Sequence, residues 1–223
     1  MSRHGRMYCA AVLIAWILVL PELSAQTNQQ ASGVHRLPLR VGVVIDESGS
    51  AHRGVLQTVL LQKSLDWVGA ALGREGGDAF LVAFNDQIIV STELVTDVAQ
   101  LRRAAEQVRQ IGGSAVNDAL IHTAQKFNSV QPEQQPARRV ILLISDGFDN
   151  ASYENEKRAA EALHREHVRV YAVCFPSPEA AKGKKLLDNI AKLSGGKAFF
   201  LTSETDISSV LADIESDLAS SQR

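Results

Sequence analysis

Asp46, Ser48 and Ser50 stand at alternate positions in Asp46-Glu-Ser-Gly-Ser50, directly after a nearly continuous apolar run, Leu39–Ile45. In an extended backbone residues i, i+2 and i+4 project to one side, so one carboxylate and two hydroxyls converge while Glu47 points away. A second apolar run, Arg139–Ile144, ends in Ser145-Asp146-Gly147, and Gly112-Gly113-Ser114 precedes a helical stretch that contains Asp118. Hard oxygen donors from three loops at one edge of a sheet can surround a divalent cation. Oxygen-only ligation with few charges suits Mg²⁺, which keeps several waters and takes a last ligand from a partner; Mn²⁺ and Ca²⁺ are less exclusive alternatives. Taken singly, each set also reads as local chemistry: a cap on a helix starting near His52, a turn at Asp146-Gly147, a loop and N-cap at Gly112-Gly113-Ser114. The coincidence of the three argues for a metal site.

The elements that must position these residues alternate between short β-branched runs and longer amphipathic ones. Leu39–Ile45 and Arg139–Ile144 read as strands buried on both faces. Val55–Leu72 has helical spacing, and Asp78–Phe84 and Gln87–Ser91 read as an antiparallel hairpin about the two-residue turn Asn85-Asp86. Helices are expected over Asp97–Ile111, Ala115–Phe127, Glu154–Glu166, Ala180–Leu193 and Asp206–Leu218, and strands over Val168–Phe175 and Lys197–Leu201. This order predicts an α/β fold, a doubly wound, mostly parallel Rossmann-like sheet with one antiparallel edge strand and helices on both faces. Ligands of such sheets bind at the carboxyl ends of the strands, where the three oxygen-bearing loops lie.

With these residues in place, the chain resembles the von Willebrand factor type A (VWA) domain and its metal-ion-dependent adhesion site, or MIDAS. The resemblance rests on Asp46-x-Ser48-x-Ser50, on Gly112-Gly113-Ser114 opening a helix and on Arg139-Val-Ile-Leu-Leu-Ile-Ser-Asp146-Gly147, and it runs from about Leu37 to Leu218. It implies that Ser48 and Ser50 bind Mg²⁺ through their hydroxyls, that Asp46 and Asp146 act largely through coordinated water, and that Ser114 is the third-loop ligand. The family residue there is usually Thr; Ser114 keeps the oxygen but lacks the methyl that restricts the rotamer. Lys185-Leu-Leu-Asp-Asn-Ile190 and Ser194-Gly-Gly-Lys-Ala-Phe-Phe200 resemble an exported bacterial branch of the family.

Export is also legible at the N-terminus. Arg3, His4 and Arg6 precede the apolar run Ala10–Leu20, followed by Pro21 and Ser24-Ala25, the order of a secretory signal peptide. The run is well short of the roughly 20 apolar residues that span a bilayer. The expected layout is a signal peptide over 1–25, a polar disordered leader over 26–36 and one domain over 37–220, in the periplasm or outside the cell. Losing Arg3, Arg6 and Glu22 would take the formal charge from −2 to −3, which leaves no basic surface for nucleic acid. Cleavage also removes Cys9 and leaves Cys174 as a buried small hydrophobe without a disulfide partner.

Other chemistry finds little support. There is no G-x-S-x-G elbow and no P-loop lysine motif. An aspartyl-phosphate enzyme needs a second aspartate where Ser48 stands. His164 and His167 are placed on one charged helix without a third zinc ligand, and His122 is placed to bond Asp118 one turn earlier. Asn150-Ala-Ser152 matches a glycosylation triplet, which carries little weight beside a bacterial resemblance. The expectation is a non-enzymatic module whose Mg²⁺ is completed by an Asp or Glu carboxylate of a protein partner. The alternatives are an assembly domain that binds partners without metal and, third, a metal-assisted phosphohydrolase.

Overall fold

The structure is a computed structural model that describes residues 36–49, 55–107, 111–129 and 136–220. Residues 1–35, which take in the expected signal peptide and all but the last residue of the expected leader, and Ser50 lie outside the described residues. Six strands, β1 (Leu39–Asp46), β2 (Gly77–Phe84), β3 (Ile88–Ser91), β4 (Arg138–Ile144), β5 (Val168–Cys174) and β6 (Lys197–Phe200), form one sheet in the order β3-β2-β1-β4-β5-β6. All neighbours are parallel except β2 and β3. The six helices are α1 (Val55–Glu75), α2 (Val98–Glu106), α3 (Val116–Ser129), α4 (Glu156–Arg165), α5 (Ala180–Leu193) and α6 (Asp206–Ser220). The expected fold class is the observed one.

Alternation along the strands sorts the core onto two faces. Val41, Val43 and Ile45 of β1, with Leu142 and Ile144 of β4, pack under α1, α2 and α6; Val44, Ile141 and Leu143 pack under α3, α4 and α5. The central strands are apolar throughout because both faces are covered. Gly42 is an exception with a reason: a Cβ there would lie 2.9 Å from Phe80 Cζ and 3.0 Å from Thr123 Cγ2, so its absence lets α3 settle onto β1 and β2. With every flanking residue of β1 buried, the only way for its terminal Asp46 to leave the core is along the strand axis, into the loops.

Most boundaries shift by a residue or two, and three of the differences have a cause in the hydrogen bonding. α1 runs to Glu75, past Leu72, and ends where Gly76 takes φ +70° and donates its N–H to the Leu72 carbonyl (2.9 Å). The hairpin turn is wider than Asn85-Asp86: Asn85 N–H donates to the Gln87 carbonyl, Gln87 N–H donates back to Asn85 Oδ1, and the register shifts between Ala83 and Phe84. α2 ends at Glu106, because Ile111 is drawn into the first ligand loop, its N–H donating to the Glu47 carbonyl (3.2 Å).

Near the end of α1, Gly73 is exposed and a Cβ there would meet nothing within 4 Å. Gly73→Ala is therefore expected to stabilise the domain by about 0.5–1 kcal/mol, since alanine gives up less chain entropy on entering a helix. Urea unfolding should show a higher midpoint with an unchanged m-value.

Candidate metal centre

Three loops at the carboxyl end of the sheet are tied together by backbone. Glu47 N–H donates to the Phe84 carbonyl (2.7 Å) and Gly49 N–H to the Gly112 carbonyl (3.0 Å), which joins the loop after β1 to the end of β2 and to the 111–115 loop. Asn85 completes the stitching: its Nδ2 donates to the Ile111 carbonyl (2.9 Å) and its own carbonyl accepts from Ala115 N–H (2.8 Å). Gln57 Nε2 donates to the Asp46 carbonyl (2.9 Å), which fixes the first turn of α1 to the strand end.

Asp46 occupies the middle of this arrangement and is fully buried. Its Oδ1 accepts from Ser48 N–H (3.0 Å), and its Oδ2 accepts from the hydroxyls of Ser114 (2.9 Å) and Ser145 (2.7 Å). Burial raises its pKa above 3.8; hydrogen bonds from Ser48 and Ser145 work against that rise, and repulsion from Asp146 adds to it. Asp146 is equally buried, its Oδ1 accepting from Phe148 N–H (3.0 Å) and its Oδ2 from the Ser177 hydroxyl (2.8 Å). Two carboxylates are thus held out of water close enough to repel. Burying charge in this way is costly unless a counter-charge enters.

The donor set fits a hard divalent cation. The Ser114 hydroxyl donates its hydrogen bond to Asp46 and so leaves only lone pairs for anything else, and the side chains that bond the Asp46 and Asp146 carboxylates are hydroxyls. Among the described residues no three His, Cys, Asp or Glu side chains cluster as a metal-binding group, so any ligation here draws on hydroxyls beside the two carboxylates.

Four of the five expected ligands meet at this edge: Asp46, Ser48, Ser114 and Asp146; Ser50 lies outside the described residues. Sequence reasoning missed Ser145, Ser177 and Asn150. Ser145 precedes Asp146 in the chain and could have been noticed beside it; Ser177 and Asn150 reach the site only through tertiary folding, Asn150 Oδ1 accepting from Ser114 N–H (2.8 Å). Two side readings are corrected. His122 does not bond Asp118: its Nε2 lies 3.1 Å from Ser91 Oγ, while Asp118 accepts from the N–H groups of Tyr153 and Glu154. His167 is not on α4, which ends at Arg165; it takes φ 52° in the turn into β5. Cys174 is buried, and burial first, then Asp146, pushes its thiol up to about 12, the behaviour of a packed hydrophobe and not of a nucleophile.

A family model for the von Willebrand factor type A domain matches residues 41–214. No curated protein matches the chain in sequence. Among solved structures it is similar to BatB, a conserved hypothetical protein from Bacteroides thetaiotaomicron (15% identity, 81% of this chain and 99% of that one, TM-score 0.59). It is also similar to the pilus adhesin SpaC from Lactobacillus rhamnosus GG (14% identity, 82% and 30%, TM-score 0.61). A third is proximal thread matrix protein 1 from the mussel byssus, with a zinc-occupied MIDAS motif (22% identity, 83% and 46%, TM-score 0.62). At these identities the likeness is one of fold.

Proposed function

This chain belongs to the von Willebrand factor type A domain family, and from that premise we propose that it is an exported binding module that holds a divalent cation and captures a carboxylate-bearing protein partner. The observation that carries the reading is the pair of buried carboxylates, Asp46 and Asp146, close enough to repel each other and bonded by the hydroxyls of Ser114, Ser145 and Ser177. Ser48, Ser50 and Ser114 would hold Mg²⁺ through their hydroxyl oxygens, and Asp46 and Asp146 would hold it through water. When bound, the cation supplies the positive charge that a partner's Asp or Glu completes as last ligand. Mg²⁺ is favoured over zinc by the oxygen-only donors.

The protein's own part is orientation and selection. Asp46 aligns two hydroxyls by accepting their protons, and Ser177 and Phe148 N–H hold the Asp146 carboxylate in place. Ile111 is 68% exposed and Tyr153 is 96% exposed, each on a loop whose backbone is bonded to the elements of the site, through Glu47 and Asp118 respectively, so they offer a partner an apolar and an aromatic contact. The layout proposed with this function is a signal peptide over 1–25, a leader over 26–36 and the binding domain over 37–220. Similarity to a pilus adhesin accords with a place in the periplasm or outside the cell.

Mg²⁺ at about 100 times its dissociation constant should stabilise the metal-free protein by about 2.7 kcal/mol. For a domain of this size that raises the thermal midpoint by roughly 5–10 °C. A midpoint that ignores Mg²⁺ and Mn²⁺ alike would remove the reading. One observation favours a second reading, an assembly domain that works without metal: Ser114 and Ser145 already satisfy Asp46 with hydrogen bonds. Capture of an envelope partner that survives EDTA and Ser48→Ala would favour that second reading; capture lost in both favours the first.

A further inference from the structure

Ser114 is held at every one of its polar atoms. Its hydroxyl donates to Asp46 Oδ2 (2.9 Å), its N–H donates to Asn150 Oδ1 (2.8 Å), and its carbonyl accepts from the N–H groups of Asn150 (3.0 Å) and Ala151 (3.0 Å). The loop between β4 and α4 thus closes over the loop that carries the third oxygen. Gly113 makes the closure possible: a Cβ there would lie 2.7 Å from Asn150 Oδ1 and 3.0 Å from Ala151 Cβ. The closing loop has its own anchor. Asp149 Oδ2 accepts from Asn117 N–H (2.9 Å), Asn117 Nδ2 (2.8 Å) and the Ser152 hydroxyl (2.7 Å). Loss of the Asn150 side chain therefore leaves the loop attached and removes one bond, the one that orients the Ser114 amide.

That bond matters because the residue is serine. An unbranched Cβ leaves χ1 free among its staggered wells, whereas the methyl of threonine restricts it. Holding the amide fixes the Ser114 backbone, and with it the direction in which Cβ leaves the chain, so that the bond from the hydroxyl to Asp46 has only χ1 left to set. We propose that Asn150 is a positioning residue of the metal centre, which clamps the Ser114 backbone and so narrows the positions open to the oxygen of an unbranched side chain. The inference rests on the metal reading above. Asn150 is exposed, so no packing role accounts for it.

The test measures Mg²⁺ affinity by calorimetry for the full chain, Asn150→Ala, Ser114→Thr and the double variant, with amide hydrogen exchange at Ser114 followed in EDTA. Asn150→Ala should weaken Mg²⁺ about tenfold, the lower end for residues that orient metal ligands, with an unchanged thermal midpoint in EDTA. In the Ser114→Thr background the same change should cost no more than about twofold, because the oxygen is already restricted. The Ser114 amide should exchange faster in Asn150→Ala. Equal losses in both backgrounds, or exchange and affinity like the parent's, would overturn the role of Asn150. A parent that binds no Mg²⁺ would overturn the metal reading itself, while the exchange result would still report whether the clamp exists.

Discussion

Asp46→Asn is expected to lower Mg²⁺ affinity by at least about 100-fold, roughly 2.7 kcal/mol, in a protein that remains folded. The substitution separates charge from shape. Asparagine keeps the volume and keeps an acceptor for Ser48 N–H; the hydroxyls of Ser114 and Ser145 then rotate to accept from the new amide instead of donating to Oδ2. Two things disappear: the negative charge, and the alignment that left the lone pairs of Ser114 free. In EDTA the variant should be at least as stable as the parent, because burial makes the Asp46 charge unfavourable in the folded state. The combination is diagnostic. A variant merely damaged in its fold would lose stability in EDTA, and one in which Asp46 served only as a helix cap would keep its Mg²⁺ affinity. Calorimetry with Mg²⁺ and thermal unfolding in EDTA together check both halves.

Gly183→Ala should disturb the same site from behind. Gly183 lies in the first turns of α5, and a Cβ there would fall 2.2 Å from the Asp146 carbonyl oxygen and 2.2 Å from the Gly147 carbonyl carbon. These are backbone atoms that no rotamer change can move aside. Either α5 lifts from the sheet, exposing Leu187 and Ile190, or the Asp146-Gly147 backbone shifts and carries the carboxylate with it. The expected cost is about 1–3 kcal/mol, the range for overpacking a close-packed contact. Mg²⁺ affinity should fall at least about tenfold, since misplaced ligands commonly cost that much. Gly73→Ala is the matched control, the same chemical change in a helix with open space and the opposite sign of effect. A Gly183→Ala protein with the parent's thermal midpoint and Mg²⁺ affinity would show that α5 does not support Asp146 in solution.

Much of this was visible in the amino-acid order because the relevant forces are local or periodic. The apolar runs of β1 and β4 announce strands covered on both sides, and a polar residue directly after such a run has nowhere to go but the strand end, which is why Asp46 and Asp146 could be placed. The Gly-Gly-Ser stretch was recognisable as a loop, yet the reason for its second glycine was not, since the atom that fills the space belongs to Asn150, far along the chain. His122 was assigned the wrong partner because helical spacing considers only its own helix, whereas β3 brings Ser91 alongside. The same holds for the end of α2: amphipathic spacing extended it to Ile111, but the backbone of Ile111 is claimed by Glu47 across the site. Ser145 and Ser177 carry no periodic signal, and hydroxyls become informative only when a buried carboxylate is found beside them.

Crystals of the protein grown with Mn²⁺ and measured at a wavelength where manganese scatters anomalously would locate a divalent cation held between the loops that carry Asp46, Ser48, Ser114 and Asp146. The expected map has a single strong anomalous peak within coordination distance of the Ser48 and Ser114 hydroxyl oxygens, absent from crystals of Asp46→Asn grown in the same solution. A map without a peak at that edge of the sheet, or with one that persists in Asp46→Asn, would contradict a cation held by these residues.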